Sequence, residues 1–173
     1  MRKKFYRQKK DFLTIIAPDK KIIRRVVVAI KLIEKTDRAE YGRLRGRLKM
    51  IFVTNCFGFT NEFFMPEKVW FANKSVILKN DINWLASLIV HEAYHATQFK
   101  NGKYVLPLGQ LEPAAIKAQK SFLKKLGESG NDADVALAGG YCKKMNEDKI
   151  SFVYFRNLLD LFSRDKLNFI LIK

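Results

Sequence analysis

The most constraining feature of this chain is the segment His91-Glu92-Ala93-Tyr94-His95. Its two histidines are the only ones among 173 residues, and a glutamate directly follows the first. On an α-helix, positions i and i+4 project from one face, so both imidazoles can reach one metal ion. The glutamate is rotated by about 100° round the helix, where it can contact a water on that metal without being a ligand. We therefore expect a helix here that carries a metal site.

The flanking sequence supports that helix. Asn80 or Asp81 can cap its N-terminus. Apolar residues then recur at helical spacing: Ile82, Leu85, Leu88, Ile89, Ala93, Ala96 and Phe99. The two histidines fall on the stripe beside this apolar face, at the border of the expected core. The preceding run, Ser75–Lys79, is apolar and partly β-branched, which predicts a strand.

A third ligand is needed, because catalytic zinc usually takes three protein ligands and one water. Glu112 lies seventeen residues beyond His95, after a predicted loop at residues 100–109. A helix is expected to begin around Pro113 and to end at Gly127. Glu112 at its start can be folded back towards the histidines. If Glu112 is only a helix-start acid, the next carboxylates along the chain are Glu128, Asp132 and Asp134.

The HEAYH segment, followed by the LEPAA segment at 111–115, resembles the gluzincin metallopeptidases, and most of all their smallest members. The resemblance covers roughly residues 68–127. It implies an α/β (α+β), zincin-like fold, in which a small antiparallel or mixed sheet packs on an active-site helix and a following glutamate helix. It also implies Zn²⁺ as the cofactor, with ligands His91, His95 and Glu112, and Glu92 as the general base.

The expected activity is therefore zinc-dependent hydrolysis of a peptide bond in a peptide or protein substrate. Zinc lowers the pKa of a bound water to about 7 and polarises the carbonyl group, while Glu92 handles the proton. The predicted strand at Ser75–Lys79 is the candidate edge for pairing with an extended peptide. Tyr94, Tyr104 and Tyr141 are possible oxyanion donors, but packing is the favoured interpretation of each, so the oxyanion-stabilising residue is left unassigned.

Composition narrows the remaining classes. A hydrophobic content of 48% argues against wholesale disorder, and the length suits one domain over residues 1–173. No run is long enough for a membrane span or a secretory signal. Cys56 and Cys142 have no metal-binding spacing. A cytoplasmic location is the default expectation, and leaderless export is the alternative.

The net charge of +16 is concentrated at one end of the chain. Residues 1–50 contain seventeen Lys or Arg against five Asp or Glu, whereas residues 51–173 contain sixteen against twelve. A basic segment at about residues 1–18 and a second cluster at 43–49 could hold nucleic acid or an anionic surface. A solvated surface is the favoured interpretation, because no nucleic-acid motif accompanies the charge. Two rival functions follow: a catalytically inactive zinc-binding domain, and a basic nucleic-acid-binding protein in which HEAYH is incidental.

The rest of the chain predicts alternating helices and strands. A helix is expected at Asp19–Thr36, a short helix around Tyr41–Leu48 and a strand at Met50–Thr54. Lys68–Ala72 and Ser75–Lys79 are expected to form a hairpin. Two further helices are predicted at 133–145 and 150–161, and residues 167–172 are expected to be a strand or a helix end.

Overall fold

The computed structural model describes residues 5–54, 61–64, 68–100, 103–106, 108–129 and 169–171. Its strands are β1 (Phe5–Lys10), β2 (Leu13–Ala17), β3 (Met50–Thr54), β4 (Asn61–Phe64), β5 (Val69–Asn73), β6 (Phe99–Lys100), β7 (Lys103–Tyr104) and β8 (Phe169–Leu171). Its helices are α1 (Lys20–Thr36), α2 (Arg38–Arg47), α3 (Lys74–Lys79), α4 (Ile82–Thr97) and α5 (Leu108–Lys125). The predicted helices at 133–145 and 150–161 lie outside the described residues.

The main sheet is mixed and has the order β4-β5-β3-β2-β1-β8. Its centre is parallel, since β2 pairs with β3 and β3 pairs with β5 in the same direction. The pairs β1–β2 and β4–β5 are antiparallel, and β8 adds to β1 in parallel. The mixed α and β composition predicted for the chain is confirmed at this level, and the expected strand or helix end at 167–172 contains the strand β8.

Side chains alternate between the two faces of this sheet, as the pleat requires. On β3, Ile51 and Val53 join the main core, whereas Phe52 belongs to a smaller cluster with Ile16 and Val69. Apolar residues on both faces are expected of strands in a parallel sheet that is covered on both sides. The main core lies between the sheet and the helices α1 and α4.

Helix α1 forms where the sequence predicted it. Asp19 caps its N-terminus by accepting a hydrogen bond from the Lys21 backbone N–H. Its buried residues recur at three- and four-residue spacing: Ile22, Ile23, Val26, Ala29, Ile30 and Ile33. α2 and β3 follow, so those two predictions are confirmed as well.

The predicted strand at Ser75–Lys79, and with it the hairpin to Lys68–Ala72, is wrong. Residues 74–79 form the helix α3, and the strand β5 pairs instead with β3 and β4. Asn73 caps α3 by accepting hydrogen bonds from the Ser75 amide and hydroxyl. The β-branched Val76 and Ile77 favour a strand locally, but this cap and the packing of Ile77 in the core outweigh that preference.

The basic N-terminal segment holds two strands that the sequence analysis did not predict. β1 and β2 form an antiparallel hairpin, in which Tyr6 pairs with Ala17 at one end and Lys10 pairs with Leu13 next to the turn. Its turn includes Asp11, whose φ of 54° lies in the left-handed region that aspartate tolerates better than most residues. The charges of β1 therefore belong to a strand of the main sheet.

Candidate metal centre on helices 4 and 5

Helix α4 carries both histidines and begins at a well-defined cap. Asp81, one of the two predicted caps, accepts a hydrogen bond from the Trp84 backbone N–H at 2.8 Å. Residues 85–93 are all buried, so the middle of the helix runs through the core. His91 is 3% exposed and His95 is partly buried, which confirms that the histidines lie at the core border.

Helix α5 presents Glu112 to that face, although it begins earlier than predicted. It starts at Leu108, so Pro113 lies inside the helix and Glu112 is not at its start. The proline costs one backbone hydrogen bond. However, Leu111, Ala115 and Phe122 form a buried stripe that spans it, and this packing keeps the segment helical. The segment predicted as a loop at 100–109 also contains the short β6–β7 hairpin.

The structure brings His91, His95 and Glu112 together. The two Nε2 atoms lie 3.2 Å apart. Glu112 Oε1 is 3.2 Å from His95 Nε2, and Glu112 Oε2 is 3.5 Å from His91 Nε2. Among the described residues, this is the one group of three or more His, Cys, Asp or Glu side chains spaced to hold a metal ion.

These separations can be compared with a zinc site. Bonds of about 2.0–2.2 Å in a tetrahedron place neighbouring ligand atoms about 3.3–3.6 Å apart. The three separations in the cluster are 3.2, 3.2 and 3.5 Å. Two imidazole nitrogens and a carboxylate are also a donor set that zinc accepts. The residues present therefore fit the ion that the motif implies.

The electrostatics of the cluster favour a cation. His91 and then His95 hold the pKa of the Glu112 carboxyl far below its usual range, so this group is ionised. Burial lowers the pKa of His95, but Glu112 and Glu92 raise it more, and the net pKa is above its ordinary value. Glu112 Oε2 makes no hydrogen bond although it is buried. A buried carboxylate oxygen without a donor is expensive unless a cation satisfies it.

Glu92 lies beside the three ligand candidates. Its side chain is 6% exposed, and burial raises the pKa of its carboxyl above the usual range. Charges on His91 and His95 act against that rise, which means that Glu92 is close enough to sense both rings. A buried carboxyl with a raised pKa near charged groups is a candidate for a functional role.

Of the three tyrosines considered as oxyanion donors, Tyr94 is the one whose side chain the structure describes. Tyr94 interacts electrostatically with Arg43 and Arg47 of α2. Tyr141 lies outside the described residues, and the side chain of Tyr104 is not among those described. No tyrosine is therefore assigned to this role.

Sequence reasoning missed two buried polar residues near this site. Ser87 lies one helical turn before His91, and Gln119 lies two turns after Glu112; both are 0% exposed. Gln119 Nε2 donates to Ser87 Oγ at 3.2 Å. A signal was present in the sequence for Gln119, which interrupts an otherwise apolar helical stripe of Ala115, Ile116, Phe122 and Leu123.

Comparison with known proteins adds no relative. No family model, curated protein or solved structure matches the chain. In the described part of the chain, no helix is long and apolar enough to cross a membrane.

Proposed function

We propose that this protein is a zinc-dependent metallopeptidase with a zincin-like fold, similar to the small gluzincins. The observation that carries the proposal is the cluster of His91, His95 and Glu112, whose ligand atoms lie 3.2–3.5 Å apart with Glu92 next to them. His91, His95 and Glu112 would hold the ion. Zinc would lower the pKa of a bound water and polarise the scissile carbonyl.

Glu92 supplies the acid–base chemistry in this proposal. Its carboxylate accepts the proton of the attacking water and then delivers it to the nitrogen of the leaving amine. Burial raises the pKa of the Glu92 carboxyl and so shifts it towards neutral pH. A general base is most effective when its pKa lies near the working pH. One residue thus receives and returns the same proton.

The strand β4 is the proposed site for the substrate backbone, in place of Ser75–Lys79. β4 is the outermost strand of the main sheet on its side, and its described partner is β5. β4 also contacts α4, the helix that carries both histidines. An extended peptide that added to this edge would form main-chain hydrogen bonds and lie close to the metal centre.

The test separates metal binding from chemistry. Glu92→Gln keeps the shape of the side chain but cannot accept a proton, so this variant should bind one zinc per chain and keep its fold. The rate at which it hydrolyses a mixture of peptides should fall by about a hundredfold to ten-thousandfold. The matched control is Glu34→Gln, a change of the same type on the exposed face of α1.

Each outcome of this test is informative. Equal cleavage by the wild type and Glu92→Gln would refute the assigned role of Glu92. Tight zinc binding without cleavage by the wild type would favour a catalytically inactive zinc-binding domain. Absence of zinc from protein purified without a chelator, and no binding on titration, would refute the metal centre itself.

A further inference from the structure

Polar contacts join α4 at three levels to α5 and to Glu128, which lies just beyond the end of α5. Glu112 contacts the two histidines, Gln119 contacts Ser87, and Asn83 Nδ2 donates to Glu128 Oε1 at 2.7 Å. Residue numbers fall along α4 while they rise along α5, so the two helices run antiparallel. The three levels therefore report a single register between the helices.

The middle level is the buried one. Ser87 and Gln119 are both 0% exposed, whereas Asn83 is partly buried and Glu128 is exposed. A broken hydrogen bond between Ser87 and Gln119 cannot be replaced by bulk water. Breaking it would leave a buried amide unsatisfied, which is unfavourable.

The hydrogen bonds of Ser87 determine how Gln119 is oriented. The Ser87 hydroxyl donates its one proton to the Trp84 carbonyl at 2.7 Å. Its oxygen is then free only to accept, and the Gln119 amide nitrogen is the donor, at 3.2 Å. The Gln119 side chain is thus held in one orientation by a backbone carbonyl of α4.

Apolar packing and this hydrogen bond differ in how sharply they depend on register. Leu111, Ala115 and Phe122 of α5 are buried, but the burial of apolar surface has no preferred direction. A shift by one residue would move Glu112 by about 1.5 Å along the axis. Functional ligands must be held within about 0.5 Å of their productive position. The hydrogen bond from Gln119 to Ser87 is directional, and a shift of that size would break it.

We propose that the Gln119–Ser87 hydrogen bond is a positioning contact that sets the register of α5, and so holds Glu112 at the metal centre. Gln119 is seven residues after Glu112, about 10 Å along the helix and on nearly the same face. Ser87 is one turn before His91 on α4. The inference depends on the zinc site proposed above, because its consequence is a change in metal affinity.

The principal variant is Gln119→Met, which keeps length and flexibility but removes the amide. Its zinc affinity, measured by competition with a chromogenic chelator, should fall by about tenfold, within the 10–100-fold range for residues that support metal ligands. The double variant Ser87→Ala/Gln119→Met replaces both partners by apolar groups. It should keep a melting temperature near that of the zinc-free wild type and still bind zinc about tenfold more weakly. If the hydrogen bond contributed to stability alone, the double variant would recover the melting temperature and the zinc affinity together.

A second measurement asks whether Gln119 acts through Glu112. In a Glu112→Ala background, Gln119→Met should cause no further loss of zinc affinity, because there is no carboxylate left to position. Asn83→Ala is the matched control, since it breaks the exposed polar contact between α4 and Glu128, just beyond α5, and should leave zinc affinity unchanged.

The results that would overturn the inference are distinct from those that would overturn the zinc site. Wild-type zinc affinity in Gln119→Met, or an equal loss with and without Glu112, would refute the positioning role while leaving the metal centre intact. Failure of the wild type to bind zinc would refute both. If Gln119→Met does not fold, the double variant decides, and wild-type affinity there refutes the role.

Discussion

The two faces on which α4 packs differ in the kind of residue that they bury. Towards α1 and the sheet, every buried residue of α1 is apolar and 0% exposed. The seam between α4 and α5 contains Ser87, His91, Glu92 and Gln119, which are the buried polar or charged residues of the described chain. The first region therefore stabilises the fold, and the second holds the groups that can carry chemistry.

This difference has an energetic consequence. Of the buried polar atoms without a hydrogen-bond partner in the described residues, three lie in the seam, namely His91 Nδ1, Glu112 Oε2 and Gln119 Oε1, and one, Trp70 Nε1, lies in the sheet core. Each such atom costs about 1–3 kcal/mol of stability. Proteins accept that cost at functional sites more readily than elsewhere. The seam should therefore respond to metal and to ligand mutations, and the α1 interface should respond to changes in packing.

The largest effect is expected from the histidines. His91→Ala or His95→Ala leaves two of three ligands, so zinc binding should weaken by more than the roughly 100-fold caused by loss of a supporting residue. The zinc-free variants should remain folded, as judged by circular dichroism. Tyr94→Phe, a change between the two histidines, is the control and should keep one zinc per chain. Stoichiometric zinc in the His91→Ala/His95→Ala double variant would contradict the assignment.

A packing mutation in α1 should lower the stability of the fold without weakening zinc binding. Ile30→Ala removes a fully buried side chain of α1 and should lower the free energy of unfolding by about 2–5 kcal/mol. Zinc affinity of the remaining folded protein should stay within about threefold of the wild type, because Ile30 is not in the seam. Val28→Ala on the same helix is the control: Val28 is 48% exposed and should cost less than about 0.5 kcal/mol. A loss of zinc affinity in Ile30→Ala as large as in His91→Ala would abolish the distinction between the two regions.

Glu112 offers a smaller and more graded test of the seam. Its side chain is 35% exposed, so a water can partly replace it. Glu112→Ala should weaken zinc binding by about tenfold to a hundredfold, and Glu112→Asp, which keeps a carboxylate on a shorter arm, by less. Isothermal titration of zinc into both variants makes the comparison. Equal affinity of Glu112→Ala and the wild type would mean that the third ligand is another carboxylate.

The sequence predicted the parts of this molecule whose signals are local. Periodic apolar residues located α1 and α4, and the spacing of His91 and His95 placed their rings on one face. These features depend on residues only a few positions apart. Glu112 lies seventeen residues beyond His95, and it was identified as the next carboxylate along the chain and through the resemblance of the LEPAA segment.

The failures depend on contacts between distant residues. At 74–79 the helix α3 is held by Arg25, whose guanidinium donates to the carbonyls of Ile77 and Asn80 more than fifty residues away. β1 was missed because Arg7, Lys9 and Lys10 resemble a solvated tail, and only pairing with β2 makes a strand of it. The Gln119–Ser87 pair could not be predicted, since neither residue indicates its partner.

The smallest effect is expected where the two regions meet. Asp37, between α1 and α2, caps α2 through the Glu40 amide and forms an ion pair with Lys125 at the end of α5. Burial raises the pKa of Asp37, but Lys125 and the Glu40 amide lower it more, so its net pKa lies below the ordinary value. Asp37→Asn keeps the cap and removes the ion pair, which should cost about 0.2–1 kcal/mol at pH 7 because half of the Lys125 side chain is exposed.

The pH dependence gives this last prediction its sign. A carboxyl with a lowered pKa in the folded state adds stability above its unfolded pKa of about 3.9 and loses that contribution as pH falls through the folded value. The difference in unfolding free energy between the wild type and Asp37→Asn, from urea titrations, should be constant from pH 7 to 5 and shrink below about pH 4. Zinc affinity should not change in Asp37→Asn, because the ion pair joins the two regions at the end of α5 remote from Glu112. If this free-energy difference grew as pH falls, the burial of the ionised Asp37 carboxylate would destabilise the folded state, and Lys125 would not compensate for that cost.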